Sequence, residues 1–592
     1  MDGLRAEART RLQSLDDVIP PLDGHISTCP GDLDRLWRHI LSHESEDDLQ
    51  IIENLLIARA VLSSWNPDAA PNEDDLEAIA AFYAWLPQVS LPSSEFADAL
   101  EGTYSADEEK KQKASLTTLL RRKRQRFSLS LACLSLLNSI SPILRAENAA
   151  DLVNCVATFA SSDRDPWTSS AAYAHAQALS QSLTATSDSP AFWQTLQDVL
   201  EKRIRPLFAK TKNPAITPAG RKNFHPIPRP RFDVDVTDPE TKPWKFRDVY
   251  ATAVVHWVLS HYLPADAEHL ESHLSLLVPP ILSLIDDDSL AFKTLGCNLL
   301  TKFVTPIRAS ESDILRRTNL SAVFDDALAP CLLSLPTLTP EDESIQILSA
   351  AYSALLLVLQ TRYHTKSKSE KFTDDDKRQY TSRLVTLLRD SVIPSFHHVS
   401  SSPARSASAA ATASSSTLLS SFPYPRLSTL LLEQATILVT ELRIHTVKYL
   451  QDLIPLIYTT LSNPFAPAHP PLLRAGVALA RAVILNAHPR VWRWRGEMLA
   501  AFCGCWNNLA IDASVTHSGD KKEFTVLKKK LRGVIYLLKL AVDAAARDER
   551  ERDLMGDNVV DIGQEYRRLV DADEELKELL LDEIDVDDAK FF

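Results

Sequence analysis

Glycine is scarce in this chain, which contains 13 glycines among 592 residues, against an average usage of roughly 7%. Tight hairpin turns and phosphate-binding loops both need residues that adopt positive φ, so this scarcity disfavours sheet-rich folds. No two glycines are closer than seven residues apart. The spacing therefore excludes the GxGxxG and GxxxxGK phosphate loops and the GxSxG nucleophile elbow. Helices joined by polar turns remain as the expected building blocks.

Apolar residues recur every three or four positions from Leu4 to about Phe208, the pattern of amphipathic helices, and about eight helices fit there. Breaks are predicted where proline and other turn formers cluster, at Pro20-Pro21, Asn66–Pro71, Pro87–Ser94 and Asp163–Pro166. The 35 prolines of the chain are compatible with helices when they fall in a first helical turn.

Composition divides the chain into four regions. Residues 1–209 are predicted to be an N-terminal helical repeat region, and 210–243 a proline-rich linker or strap, because its run Pro226–Arg231 forbids regular helix. Residues 244–546 are predicted to be a second helical repeat region, with a low-complexity insertion of serine and alanine at about 400–421. Residues 547–592 form an acidic C-terminal tail.

The second region contains the pattern of a HEAT repeat, in which two antiparallel helices are joined by an aspartate turn. Pro279 to Leu300 has this pattern, with Pro279-Pro280 predicted in a first helical turn and Asp286–Asp288 placed to cap a helix predicted over Leu290 to Phe303. Similar patterns occur at Phe324 to Leu356 and Leu453 to Leu485. The repeats are longer than the roughly 40–47 residues usual for HEAT units, so insertions are expected. The predicted fold is all-α, a HEAT-like α-solenoid of stacked antiparallel helix pairs.

Charge and cysteine usage limit the partners and the compartment. The net charge of −14 argues against a nucleic-acid partner, which requires a basic surface. The most apolar segment, His273 to Ile285, is shorter than the roughly 20 residues of a membrane span, and the charged N-terminus lacks a secretory signal pattern. Seven scattered cysteines indicate a reducing compartment. We expect a cytoplasmic protein, with nuclear access left open by the basic run Arg121–Arg126, which is more simply a solvated helix face.

Few side chains suggest chemistry. Cys503 and Cys505 form the closest thiol pair, and small buried apolar groups are the simpler interpretation than a metal or redox pair. The histidines, among them His256, His261 and His397-His398, are expected to be accommodated on helix faces. We predict no catalytic residue, no cofactor and no metal.

Trp492-Arg493-Trp494-Arg495 is the candidate binding motif, because Trp and Arg dominate the energetically important residues of interfaces. Trp492, Trp494 and Arg495 are therefore predicted to bind a partner. A tryptophan stripe that packs in the core of the repeats is the alternative.

Several stretches of the second region resemble the Tel-two-interacting protein two family. They are Pro243-Trp244-Lys245, Pro279 to Asp287, Lys293, Gly296-Cys297, Phe324 to Leu332 and Leu335 to Ser344. The turns match as well as the helices. The resemblance covers about Trp244 to Leu359, with a looser match of the helices to Leu540 and of the Arg205 to Gly220 segment.

The resemblance implies a non-catalytic subunit of the TTT co-chaperone complex, a heterotrimer with two larger helical-repeat subunits. That complex works with the heat-shock-ninety chaperone and its adaptors. Its clients are the phosphatidylinositol-kinase-related kinases of DNA-damage and TOR signalling, which this subunit contacts directly or indirectly. The alternatives are another HEAT-repeat scaffold, such as a nuclear transport receptor or a phosphatase regulatory subunit, and an enzyme with an unfamiliar helical site.

Overall fold

The structure is a computed structural model, and it describes most of the chain with gaps. The described residues are 2–12, 22, 31–45, 47–66, 70–97, 110–185, 190–211, 213–226, 239–364, 373–401, 423–513, 520–555 and 561–582. Pro20-Pro21, most of the run Pro226–Arg231 and the insertion at about 400–421 from residue 402 onward lie outside them. Within the described residues the regular structure is helical, apart from one isolated bridge between Ile216 and Lys222. The all-α prediction is confirmed.

The chain folds into two compact units. The first comprises Met1–Leu328 and Ala354–Ser367, and the second comprises Ala329–Ser353 and Lys368–Phe592. This division differs from the four predicted regions, whose boundaries stay predictions. One helix, Glu341–His364, begins in the second unit and ends in the first.

Helices of the first unit follow one another along the chain. They are α1 (Asp2–Leu12), α2 (Asp32–Leu41), α3 (Asp48–Ser63), α4 (Glu73–Ser90), α5 (Lys110–Ile140), α6 (Ala149–Ala160), α7 (Ser170–Thr184), α8 (Pro190–Asp198), α9 (Pro243–Phe246), α10 (Ala251–Leu259), α11 (Ala267–Ser272), α12 (Leu274–Ile285), α13 (Leu290–Ala309), α14 (Ile314–Thr318) and α15 (Leu320–Leu328). A π-helical segment, Val199–Ile204, continues α8.

In the N-terminal half of this unit, helices pack on the next but one along the chain. Helix α1 packs on α3, α2 on α4, α3 on α5 and α5 on α7. This is the arrangement of stacked helix pairs, in which equivalent helices of neighbouring pairs lie side by side. The predicted breaks at Asn66–Pro71 and Asp163–Pro166 fall between helices. The predicted break at Pro87–Ser94 contains the end of α4 at Ser90, although Pro87 itself lies inside the helix.

The pair α12 and α13 corresponds to the predicted HEAT pattern, with one correction. Pro279 and Pro280 lie inside α12 and not in its first turn, so the helix tolerates two missing amide donors. Helix α13 begins at Leu290 as predicted and extends to Ala309. The two helices approach so closely at Gly296 that an added Cβ would lie 2.7 Å from the backbone nitrogen of Ile285.

The described part of the predicted linker or strap contacts α12 and α14. Asn213 donates to Asp286 at 2.6 Å, and the hydroxyls of Thr211 and Ser283 lie 3.1 Å apart. The amide of Lys222 donates to the carbonyl of Thr318 at 3.0 Å. These hydrogen bonds hold an irregular segment against the helices.

The second unit contains the remaining helices. They are the first part of α16 (Glu341–His364), α17 (Asp374–Thr386), α18 (Ile393–Ser401), α19 (Pro425–Leu442), α20 (Leu450–Leu461), α21 (Pro470–Val491), α22 (Arg495–Ala513), α23 (Asp520–Arg547), α24 (Glu549–Met555), α25 (Ile562–Ala572) and α26 (Lys577–Leu580). Here too next-but-one helices pack together, α19 on α21, α20 on α22 and α21 on α23.

The region predicted to be an acidic tail contains three of these helices, α24 to α26. Tyr566, Leu576, Leu579 and Leu580 are buried there. Helix α23 packs against all three, so part of this region is folded into the second unit.

Helix α16 is the one described helix that is long and apolar enough to span a membrane by length and composition. Within it, 67% of the most apolar window, in Glu341–Tyr363, is buried inside the protein. Core helices of folded proteins show the same property.

Candidate partner-binding site

The predicted motif Trp492 to Arg495 forms the tight turn between α21 and α22 and the first residue of α22. Trp492 Nε1 donates to Glu551 Oε2 at 3.1 Å. Arg495 contacts both carboxylate oxygens of Glu565, at 2.9 and 3.1 Å, and it also donates to the carbonyl of Trp492 at 2.9 Å. The polar groups of Trp492 and Arg495 therefore connect the start of α22 to α24 and α25.

This connection has moderate strength. A bidentate pair between Arg and a carboxylate is stronger than a single charged contact, but the Arg495 and Glu565 side chains are 26% and 33% exposed. Because water screens a partly exposed ion pair, we expect the Arg495–Glu565 pair to contribute about 1 kcal/mol to the free energy of unfolding. Trp494 is half-buried. The partner-binding role of Trp492, Trp494 and Arg495 stays a prediction.

A groove of about 540 Å³ lies beside this turn, between α22 and α25. Its lining combines cationic and apolar side chains, among them Arg493, Arg568, Leu499, Cys503 and Leu569. The groove could hold an extended apolar side chain with an acidic neighbour. Glu497 and Glu565 also line it, so its charge is mixed.

The two close cysteines are packing groups. Cys505 is buried and Cys503 is half-buried. Burial raises the pKa of the Cys505 thiol to about 12, and burial together with Asp573 raises that of Cys503 to about 11. Burial therefore disfavours the thiolate form of both side chains, which is the nucleophilic form.

The basic run is less solvated than the sequence indicated. Lys123 Nζ lies 2.7 Å from Glu95, and Arg126 lies 2.5 Å from Asp48. The Lys123 and Arg126 side chains are 13% and 11% exposed. The solvated-face interpretation is therefore wrong for these two, because they pair with acids on neighbouring segments.

The singled-out histidines have partners within the protein. His256 lies 2.8 Å from the Ser161 hydroxyl and 2.7 Å from Lys302 Nζ, and burial together with the Lys302 charge lowers its pKa to about 4. His261 contacts the carbonyl of Trp257 at 2.8 Å. Among the described residues, no group of three or more His, Cys, Asp or Glu side chains could hold a metal ion.

A buried charge cluster lies at the turn between α12 and α13, and sequence reasoning did not find it. It comprises Asp287, Lys242 and Lys245, and we call it the Asp287 cluster. The Asp287 side chain is fully buried, and it accepts from Lys242 at 2.7 Å and from Lys245 at 3.3 Å. Asp287 also accepts the Ser289 amide at 2.9 Å. Ser289 precedes the first turn of α13, so this bond orders the connecting turn, and the predicted capping of α13 stays a prediction. The lysines come from 42 and 45 residues earlier, so no local pattern indicated the contact.

Aromatic rings enclose the Asp287 cluster. Trp244 is fully buried, stacks on Phe208 with ring centres 5.3 Å apart and meets Phe292 edge to face at 5.2 Å. Lys245 Nζ also lies 5.4 Å from the Phe292 ring centre. Trp244 and Lys245, which carry part of the family resemblance, therefore join α9 to Phe208, to Asp287 and to Phe292 of α13.

Leu335 to Pro340, a second family-like stretch, forms a fixed turn before α16. His398 Nε2 lies 3.1 Å from the carbonyl of Pro336, and Thr337 has a φ of 108°, rare for a β-branched residue. The turn presents Leu338 to solvent, and that side chain is 92% exposed.

The described helices pack on helices that are close to them along the chain, and such packing is typical of helical-repeat proteins. The molecule is therefore an all-α, helical-repeat protein. The Tti2 family model matches residues 152–468, more than half of the chain. The chain belongs to the Tti2 family, as the resemblance predicted. Membership supports its assignment as a component of a TTT complex, and the family is known as a non-catalytic co-chaperone component. No curated protein matches the chain.

Proposed function

We propose that this chain is a non-catalytic scaffold subunit of the TTT complex. It supports the maturation and stability of phosphatidylinositol-kinase-related kinases together with the heat-shock-ninety chaperone system. The observation that carries the proposal is the Tti2 family match over residues 152–468. A scaffold contributes by binding and leaves the chemistry to its partners.

The physical properties of the described residues support this function. Stacked helix pairs present a long surface on which a large partner can be held at many points. The pKa values of the candidate reactive groups lie far from neutral pH. Those of the Cys503 and Cys505 thiols are raised and that of His256 is lowered, whereas acid–base or nucleophilic catalysis needs a pKa near the working pH.

The partners in this proposal are the two larger helical-repeat TTT subunits and the heat-shock-ninety adaptor complex. The kinases are contacted directly or through those subunits. The turn with Trp492, Trp494 and Arg495, together with the groove beside it, is one proposed contact. We also propose a cytoplasmic location, with access to the nucleus.

Affinity purification of the tagged full-length chain tests this function. We expect two large helical-repeat proteins at near-stoichiometric amounts and kinases of this class at lower amounts. Depletion of the chain should lower the steady-state amount of those kinases without lowering their mRNA. Recovery of a nuclear-pore protein, a small GTPase or a phosphatase catalytic subunit in place of these partners would instead favour another HEAT-repeat scaffold.

A binding measurement with the purified chain adds a second test. A partner that binds only the folded chain raises its apparent stability by mass action. We therefore expect the largest TTT subunit to raise the melting temperature of the chain. A monodisperse monomer that does not bind that subunit contradicts the proposal.

A further inference from the structure

Helix α23 begins with a basic stretch, although the protein as a whole is acidic. Residues 521–540 contain seven Lys or Arg and a single acid, whereas the net charge of the chain is −14. One side of the helix packs on α21 and α22, and Phe524, Leu527 and Leu531 are buried. In an amphipathic helix the charged residues lie on the side opposite to the apolar one. The outer side of α23 is therefore cationic.

Five residues share this outer side, because they are separated by three, seven or eleven positions, each close to a whole number of helical turns. Lys522, Lys529 and Lys539 are exposed, and Lys528 is half-buried. Tyr536 lies among them and is 40% exposed. We call Lys522, Lys528, Lys529, Tyr536 and Lys539 the α23 face.

The C-terminal region runs along α23 toward this cationic part. Tyr566 of α25 donates to the carbonyl of Ile535 at 3.3 Å. Nine residues later, the carbonyl of Glu575 accepts from Trp506 Nε1 at 3.2 Å. Lys528 Nζ lies 4.5 Å from the ring centre of Trp506. The chain therefore passes from the middle of α23 to its lysine-rich first half.

The last described residues leave the protein beside the α23 face. Helix α26 packs against α23, and Leu579 and Leu580 are buried. Leu581 is then 42% exposed, and Asp582, where the described residues end, is exposed. The next residues, 583–592, therefore start close to α23.

The composition and length of 583–592 suit the α23 face. Four of the first six residues of this segment are acidic, and they alternate with Ile584 and Val586. An extended chain covers about 3.3 Å per residue, so ten residues reach about 30 Å. The distance from Lys528 to Lys539 along a helix is only about 16 Å. The segment is long enough to lie along the cationic part of α23.

We propose that residues 583–592 bind along the α23 face, with their carboxylates beside its lysines and an apolar side chain against Tyr536. Charge complementarity selects this occupant, because the face is cationic and the segment is anionic. A single exposed ion pair contributes little, but the segment is tethered beside the face and therefore binds at a high effective concentration. The inference goes beyond the proposed function, because it does not require any subunit to bind.

Photo-crosslinking in the full-length chain tests the proposal. A benzoylphenylalanine placed at Val586 should crosslink to peptides from residues 521–547, identified by mass spectrometry. The yield should fall at least about threefold between about 0.1 and 1 M salt, because the screening length falls from about 10 to 3 Å. Crosslinks that map to other helices, or only to a co-purifying protein, would overturn the proposal. Absence of co-purifying subunits would count against the proposed function and leave this readout unchanged.

Charge reversal shows whether the contact is made by these lysines. Lys522→Glu/Lys539→Glu should lower the crosslink yield at least about fivefold, because two attractive contacts become repulsive. The control Lys448→Glu/Arg474→Glu reverses two exposed cations elsewhere in the same unit and should stay within about twofold.

A second reversal, in the segment itself, should rescue the first. Adding Asp585→Lys/Asp587→Lys to Lys522→Glu/Lys539→Glu should restore at least about half of the wild-type yield. An unchanged yield in the first variant, or a loss that the second reversal does not restore, overturns the proposal.

A third variant keeps the test valid if reversal of the lysines unfolds α23. Asp585→Asn/Asp587→Asn/Asp588→Asn leaves the helix untouched and removes most of the negative charge of the segment. Its yield should fall at least about threefold at an unchanged melting temperature. A yield equal to that of the wild type would show that charge does not hold the segment on the α23 face.

Discussion

Lys245 Nζ lies 3.3 Å from Oδ1 of Asp287, a carboxylate whose side chain is fully buried between α9 and α12. Lys242 contributes the second cation, 2.7 Å from Oδ2. One buried anion therefore pairs with two lysines whose side chains are only 11% and 10% exposed. Loss of the anion would leave two poorly solvated cations side by side.

Asp287→Asn is therefore expected to lower the free energy of unfolding by about 3 kcal/mol, the cost of breaking a buried ion pair. Urea unfolding of the full-length chain measures the change. Asp288→Asn is the matched control, because Asp288 also lies 3.5 Å from Lys242 but its side chain is 75% exposed, so that loss of this contact should cost little. Equal effects of the two substitutions would show that burial of Asp287 is not what matters.

The same pair predicts a difference in pH dependence. Burial raises the pKa of the Asp287 carboxyl, but the Lys242 hydrogen bond, the Ser289 amide and the charges of both lysines outweigh it, so the pKa is lowered. The pKa of an aspartate in the unfolded chain is near 4. Because the pKa is lower in the folded chain, the ionised carboxylate stabilises the fold above about pH 4, and this stabilisation is lost as the pH falls through the pKa of the folded chain. The stability gap between wild type and Asp287→Asn should therefore narrow below about pH 4.

Gly296→Ala should destabilise the first unit by about 1–3 kcal/mol, because its Cβ would meet the backbone of Ile285 at 2.7 Å and neither helix can yield locally. Gly504→Ala is the control, since its nearest neighbour would be Ser462 at an ordinary 3.5 Å. That substitution should be neutral or stabilising, because alanine favours helix. Thermal unfolding of both variants measures the contrast.

Asp165→Asn should stabilise the chain at neutral pH. Burial, with a contribution from Asp163, raises the pKa of the Asp165 carboxyl to about 7, and its Oδ2 is buried without a hydrogen-bond partner. The unfolded chain loses this proton near pH 4, so the wild type loses stability as the pH rises from about 4 to 7. The gain from Asn should be small at pH 4 and reach about 1–2 kcal/mol above pH 7. A gain that is the same at both pH values would contradict this.

Arg495→Ala should loosen α25 without unfolding the second unit. The substitution removes the bidentate contact with Glu565 and should cost about 1 kcal/mol. Hydrogen exchange in Ile562–Ala572 should become faster, while exchange in α21 stays unchanged. Arg493→Ala is the control, because Arg493 is exposed and only stacks over the Trp492 ring.

Trp494→Ala tests the predicted partner role of this turn. We expect weaker subunit capture, by about tenfold or more if Trp494 is a hot spot, and unchanged helical content by circular dichroism. A parallel loss of capture and helical content would instead assign Trp494 to the core.

Sequence reasoning succeeded where short-range patterns carry the information. Apolar residues with helical spacing predicted α12 and the start of α13 at Leu290. The same local reasoning placed Pro279 and Pro280 in a first helical turn, but they lie inside α12. Burial in the surrounding helices outweighs the local preference of proline there.

Sequence alone determined that the chain is all-α, that it is built from helix pairs, and that it resembles the family to which it belongs, because helix periodicity and turn residues are local properties. Tertiary structure alone decided that Asp287 pairs with two lysines more than 40 residues away, and that Lys123 and Arg126 pair with acids on neighbouring segments. Each of these depends on which segments meet in space. Contacts between distant segments arise from the packing of the whole unit, and no short stretch of sequence contains that information.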